Sequence, residues 1–201
     1  MTNIDQYLLE HSALLTIDLQ NDFLHEEGGF AKRGQNPKPL QKMMPNLLKF
    51  LTNARSNPSL KIIHTIMAED KWTTPKCWRG DPDPVLAKGT WGTEFYGFQP
   101  LESELVLPKY WYGTFSGSNL QFILDNLDIK TLLITGVLTN VCVETTAREA
   151  FQKNFNVIVV SDCTAAYTGQ EHFSALQNIS NYFGSVAKAE DILKVWSKNK
   201  N

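Results

Sequence analysis

Thr131 to Phe151 reads TLLITGVLTNVCVETTAREAF, and the change of pattern inside it decides the fold class. An apolar, β-branched run from Thr131 to Thr135 stops at Gly136, a short turn follows, and Val143, Ala147, Ala150 and Phe151 then recur at helical spacing. The stretch is a strand, a tight turn and a helix. Cys142 falls at the first turn of that helix, where unpaired backbone N–H groups and the positive end of the macrodipole favour an anion. A thiol in such a place is expected to ionise more easily than a free one and to act as a nucleophile toward carbonyl carbon. The competing reading is a small buried hydrophobe, the commoner fate of a lone cysteine.

Working outward, the same alternation extends over the chain. Ala13 to Leu19, ALLTIDL, is an apolar run broken only by Asp18, as in a central parallel strand buried on both faces. Gln20, Asn21, Asp22 and Phe23 lead into a Gly-rich connection, and Pro37 and Pro39 announce a helix carrying Leu40, Met43, Met44, Leu47, Leu48, Leu51 and Ala54. Asn57-Pro58 ends it, and Leu60 to Met67 is a second strand. Glu104 to Lys109 is a short third strand. A helix with Leu120, Ile123, Leu124 and Leu127 inward follows, with Ser116 or Ser118 as its cap. Beyond the opening stretch come a strand at Asn156 to Asp162 and a helix at Gln170 to Phe183 with Phe173, Leu176, Ile179 and Phe183 inward. An edge strand at Ser185 to Ala187 and a closing helix burying Ile192, Val195 and Trp196 complete the chain. Strands alternating with helices predict an α/β, doubly wound, mostly parallel sheet in a single domain spanning 1–201.

One segment breaks the rhythm. Residues 68–103 hold Trp72, Trp78, Trp91, Phe95, Tyr96 and Phe98 among prolines and glycines without a sustained period. Loops of that length in a compact domain are usually functional, and these aromatics could wall a pocket, cover the core or form an interface. Arg79 within CWRGD could hold a carboxylate or carbonyl of a ligand; a solvated surface arginine is the alternative.

Composition excludes several classes. With 42% hydrophobic residues over 201 positions, the chain can bury one sizeable core. A net charge of -2 and a pI near 6.1 offer no basic footprint for nucleic acid and no polybasic membrane surface. Cys77, Cys142 and Cys163 are three in number, without CxxC or Cys/His ligand spacing, so neither a disulfide framework nor a zinc site is expected. No signal-peptide pattern or membrane-length apolar run is visible, and a cytoplasmic location is expected.

In an open parallel sheet, ligands bind beyond the carboxyl ends of the strands, near the point where strand order reverses. Asp18, Lys109 and Cys142 each fall at such an end. A carboxylate, an ammonium and a thiol brought together form a nucleophile system: Lys109 favours the thiolate, and Asp18 takes the thiol proton and returns it to a leaving group. The alternative is a structural ion pair between Asp18 and Lys109.

The segments ALLTIDLQNDF, GTWGTEF, LPKYWYGTFSGSNL, GVLTNVCVETTAREAF and VIVVSD occur in an order that resembles the isochorismatase-like cysteine hydrolases, over nearly the whole chain. The resemblance implies a three-layer α/β/α Rossmann-like fold and a catalytic triad of Asp18, Lys109 and Cys142. It also implies a cis peptide at Val137-Leu138 and an oxyanion hole formed by the backbone N–H groups of Leu138 and Cys142. Hydrolysis of a C–N bond in a small amide or ureido substrate through a covalent Cys142 intermediate is the activity it points to. Ureidoacrylate, biuret and N-carbamoylsarcosine hydrolases are the analogues. Nicotinamidase-like members carry metal-binding histidines after the second strand; this chain has Glu69, Asp70, Lys71 and Trp72 there, so neither a metal nor another cofactor is expected. His64 reads as a hydrogen-bonded core histidine. Gln20, Phe23, Arg79, Trp91, Tyr112 and Thr139 are the candidates for contacting substrate, with turn capping and core packing as their alternative roles. Thr139 and Asn140 are expected to cap the nucleophile helix, and Cys163 to be an inert thiol just past a strand end. The family commonly forms homo-oligomers, dimers or tetramers. Two other readings keep the fold: a vinyl ether hydrolase of the isochorismatase type, and a catalytically silent member that binds a small molecule.

Overall fold

The computed structural model describes residues 11–78, 80 and 85–198. Six strands form one parallel sheet: β1 (Ser12–Ile17), β2 (Lys61–Met67), β3 (Leu105–Lys109), β4 (Thr131–Val137), β5 (Asn156–Ala165) and β6 (Ser185–Ala187), in the order β3-β2-β1-β4-β5-β6. Every residue of β1 and β4 is buried, which explains why their sequences read as continuous apolar runs rather than alternating ones. The edge strand β3 is exposed at Leu105 and Val106.

The helices are α1 (Asn21–Leu24), α2 (Gly29–Lys32), α3 (Lys38–Arg55), α4 (Leu120–Asn126), α5 (Glu144–Gln152), α6 (Gly169–Asn178) and α7 (Ala189–Lys198). The connection through α3 moves one way across the sheet, from β1 to β2, whereas those through α4, α5 and α6 move the other way. Right-handed crossovers therefore place α3 on one face and α4, α5 and α6 on the opposite face. The third layer is completed by α7, which packs on α3, with Phe50 and Trp196 stacked at 5.4 Å. This is a three-layer α/β/α architecture.

Several local expectations shift. β5 continues through Ala165, so Cys163 lies inside a strand and is fully buried. The helix expected over Gln170 to Phe183 is α6 followed by a π-helical turn, Ile179–Phe183. Phe173, expected inward, is exposed. A capping box of Thr168 and Glu171 sets where α6 begins. Leu120 N donates to Ser118 Oγ at the start of α4. His64 is a hydrogen-bonded core residue: Nδ1 lies 2.6 Å from Thr16 Oγ1 and Nε2 lies 2.9 Å from Glu104 Oε2. Arg55 closes this buried chain on Glu104 with both Nε and Nη2.

Strand order reverses between β1 and β4, so the sheet opens a crevice beyond their carboxyl ends. The two strands approach closely because Gly136 has no side chain: a Cβ there would lie 2.1 Å from the Ile17 carbonyl oxygen, and its φ of +106° is a conformation that glycine tolerates. Among the described residues, no helix is long and apolar enough to cross a membrane.

Candidate active site

Three strand ends converge on that crevice. At the end of β1 the chain turns sharply: Asp18 takes a left-handed φ of +54°, and its N–H donates to the Thr65 carbonyl on β2. The turn carries the Asp18 carboxyl inward, where it is fully buried. Lys109, the last residue of the edge strand β3, reaches past β2 to place Nζ 2.8 Å from Asp18 Oδ2. The ammonium also donates to the carbonyls of Trp111 and Tyr112, at 3.0 and 3.2 Å. Close as the ion pair is, neither Asp18 oxygen receives a well-directed hydrogen bond. Cys142 faces the same carboxyl from the π-helical turn Thr139–Val143 that joins β4 to α5, and it is 2% exposed. The Val137-Leu138 peptide at the entry to that turn is cis.

Burial dominates the electrostatics. It pushes the Asp18 carboxyl above the usual carboxylate range, against the opposing pull of Lys109, Cys142 and Thr65. For Lys109, burial works against the ammonium, but Asp18 and Cys142 outweigh it and the pKa rises. The Cys142 thiol is pushed up to about 12, first by burial and then by the neighbouring Asp18, despite Lys109. This corrects the expectation of a readily ionised thiol. Burial and the neighbouring carboxyl outweigh Lys109, and the proton rests on sulfur. The arrangement can transfer that proton locally, because the acceptor beside it is a carboxyl made more basic by burial.

Beside the triad, a cavity of about 470 Å³ opens between the long loop and α2, with Phe30, Glu69, Cys77, Trp78 and Tyr112 among its lining. Tyr112, one of the expected substrate contacts, is partly exposed there, and its hydroxyl feels the charges of Cys142 and Glu69. Gln20, Phe23, Trp91 and Thr139 are not part of that lining. Gln20 is fully buried with its amide spent on backbone: Nε2 donates to Met67 O and Thr93 O, and Oε1 accepts from Met67 N. It bridges β2 to the long loop. Phe23 stacks on Phe30 at 4.7 Å within the core. Trp91 packs edge-on against His25, in a second recess that includes Asp22 and Lys32. Thr139 is fully buried and its hydroxyl lies 2.8 Å from His172 Nδ1, so it does not cap the nucleophile helix; Asn140 leaves Oδ1 buried without a partner. Arg79 lies outside the described residues.

Asp22 was not anticipated. Its Oδ1 accepts from Gly29 N and its Oδ2 from Leu86 N, tying α1, α2 and the long loop together. Gly92 passes so close that a Cβ there would overlap the Asp22 carboxylate. The signal was its place in DLQNDF, but its backbone partners are seven and 64 residues away. After β2, Glu69 pairs its backbone with Leu86 and Lys88, and Asp70 caps the next turn through Trp72 N and Thr73 N. Among the described residues, no group of three or more His, Cys, Asp or Glu could hold a metal ion.

The isochorismatase domain family model matches residues 12–191. The chain belongs to the isochorismatase family. It is an isochorismatase-like hydrolase. It is 29% identical to a ureidoacrylate amidohydrolase of Enterobacter sp. (strain 638), covering 90% of this chain and 87% of that one. It is 30% identical to a ureidoacrylate amidohydrolase of Klebsiella pneumoniae, covering 90% and 85%. Among solved structures, an isochorismatase-like hydrolase from Alkaliphilus metalliredigens superposes with a TM-score of 0.83 at 30% identity, covering 92% of this chain and 98% of that one.

Proposed function

We propose that the protein hydrolyses a C–N bond of a small amide or ureido compound through a covalent Cys142 intermediate. The observation that carries this reading is a thiol buried against a carboxyl–ammonium pair whose Nζ–Oδ2 separation is 2.8 Å. Similarity to ureidoacrylate amidohydrolases over 90% of the chain supports the same class of bond. Asp18 accepts the Cys142 proton as sulfur attacks the carbonyl carbon, and Lys109 holds the charge of the Asp18–Cys142 pair as it redistributes. The developing oxyanion is received by the backbone N–H groups of Leu138 and Cys142. Asp18 then protonates the leaving nitrogen. Ammonia or an amine departs, and a thioester or thiocarbamate remains on Cys142. Water, deprotonated by Asp18, attacks that carbonyl and regenerates the thiol.

The test is intact-protein mass spectrometry after brief exposure to a panel of amides and ureido compounds, with ammonia release followed in parallel, for wild type and Cys142→Ala. Release by the wild type alone, with an adduct on Cys142, is expected. Equal ammonia release by both proteins would remove Cys142 as the nucleophile; silence of both on this panel would favour a vinyl ether hydrolase or a binding protein.

A further inference from the structure

Buried polar side-chain atoms without a hydrogen-bond partner are few among the described residues, and most gather in one place. They belong to Asp18, whose carboxyl nevertheless has Lys109 Nζ at 2.8 Å, and to Thr65, Asn140 and Tyr167, on or just beyond β1, β2, β4 and β5 around Cys142; only Gln121 on α4 and Trp196 on α7 lie elsewhere. A buried polar group without a partner is rare in a folded protein and needs a reason, of which a missing ligand is one. Asp18 and Thr65 already belong to the triad's surroundings. Tyr167 does not.

Tyr167 stands two residues beyond Ala165, the last residue of β5, and Ala165 is in register with Val137 at the root of the nucleophile turn. The ring packs on the core, while the hydroxyl is buried and unpartnered. Its place just past the carboxyl end of β5, the strand paired with β4, sets it beside the nucleophile turn, and after burial the charges of Asp22 and Cys142 raise its pKa. Burial keeps it protonated, so it is a donor in search of an acceptor. Asp22 is not that acceptor: the hydroxyl makes no hydrogen bond to it, and its two oxygens accept instead from Gly29 N and Leu86 N at 2.8 and 2.6 Å.

We propose that Tyr167 contacts substrate: its hydroxyl donates a hydrogen bond to a second acceptor oxygen, a carboxylate or second carbonyl, of an amide or ureido compound whose scissile carbonyl lies against Cys142. The inference rests on the hydrolase reading above and narrows its substrate class. Compounds carrying such an oxygen near the ureido group, as N-carbamoylglycine and biuret do, fit the site; N-ethylurea and simple aliphatic amides leave the hydroxyl unsatisfied.

Tyr167→Phe removes the oxygen and keeps the ring. The experiment measures kcat and KM for ammonia release from N-carbamoylglycine, biuret, N-ethylurea and propionamide by wild type and Tyr167→Phe, with the melting temperature of each protein. The wild type is expected to favour the acceptor-bearing compounds by about 10–100-fold in kcat/KM, and Tyr167→Phe to lose that preference while turning over the others unchanged and melting at the same temperature. A preference intact in Tyr167→Phe, an equal fall on all compounds, or a wild type that favours N-ethylurea or propionamide would overturn the assignment and leave the hydrolase reading standing. Silence of the wild type on every compound, with no Cys142 adduct, would remove both.

Discussion

Replacing Lys109 by methionine strands the Asp18 carboxylate in a fully buried site, its ammonium partner at 2.8 Å gone. Removing one member of a buried pair typically costs about 3–5 kcal/mol, because the remaining charge is neither solvated nor compensated. The loss has a ceiling, since Asp18 can take up a proton instead. Starting from an unfolded-state pKa of 3.8, neutralising the carboxyl at pH 7 costs about 1.36 × (7 − 3.8), or about 4 kcal/mol. At pH 5.5 the same step costs about 2 kcal/mol. The sign follows from proton uptake: a carboxyl whose folded pKa is raised binds more protons in the folded state, so stability falls as pH rises above 3.8. Loss of the two hydrogen bonds to Trp111 O and Tyr112 O adds about 1 kcal/mol each, independent of pH. Urea unfolding of Lys109→Met at pH 7 and pH 5.5 should therefore show a deficit that shrinks on acidification, by at most about 2 kcal/mol because Asp18 has a raised pKa in the wild type as well. Asp18→Asn/Lys109→Met, which carries no charge at the site, should recover part of the deficit at pH 7 and show no such pH dependence. A deficit equal at the two pH values, or a double variant less stable than Lys109→Met at pH 7, would refute the reasoning.

Alkylation of the two site-facing thiols should separate by exposure: iodoacetamide followed by peptide mass spectrometry is expected to label exposed Cys77 well before Cys142, whose rate should keep rising through pH 10 because its thiol is pushed up to about 12. Equal labelling at pH 7.5 would contradict the protonated resting thiol. The buried Thr16–His64–Glu104–Arg55 chain predicts acid sensitivity. Burial alone would raise the Glu104 carboxyl, but Arg55, Leu101 N–H and His64 hold it at about 2, so its contribution is complete above about 4.5 and fades as pH falls toward 2. Burial lowers the His64 pKa, which adds a loss that begins as pH falls below about 6.5. Glu104→Gln should lower stability at pH 7 by about 1–3 kcal/mol and flatten the melting temperature between pH 5 and pH 3. An acid profile matching the wild type would show that Glu104 is not the group responsible.

What could be read from the sequence follows from the range over which each feature is determined. The alternation of strands and helices, and the places of Asp18, Lys109 and Cys142 at strand ends, are local patterns. A polar residue closing an apolar run is visible without knowing which strands are neighbours, and the sheet order then brings three such ends together. Gln20 and Thr139 were also singled out from local context, yet their side chains are committed to Met67, Thr93 and His172, partners that only the folded chain supplies. Asp22 and Tyr167 escaped notice for the same reason in reverse. Each looks like an ordinary turn residue until the long loop and the nucleophile turn close around it.

Cys142 shows how the two ranges conflict. Position at a helix start argues for an easily ionised thiol, and that argument holds while solvent or a cation is the thiol's only other neighbour. The fold instead buries the sulfur and sets a carboxyl against it, and both effects raise its pKa. In the proposed chemistry this is consistent rather than adverse. A thiol ionised at rest would need no base, and Asp18 would then have no proton to return to a leaving nitrogen that cannot depart as an anion. Keeping the proton on sulfur, beside a carboxyl made more basic by the same burial, leaves one proton available to move from thiol to carboxyl as the C–S bond forms and from carboxyl to nitrogen as the C–N bond breaks.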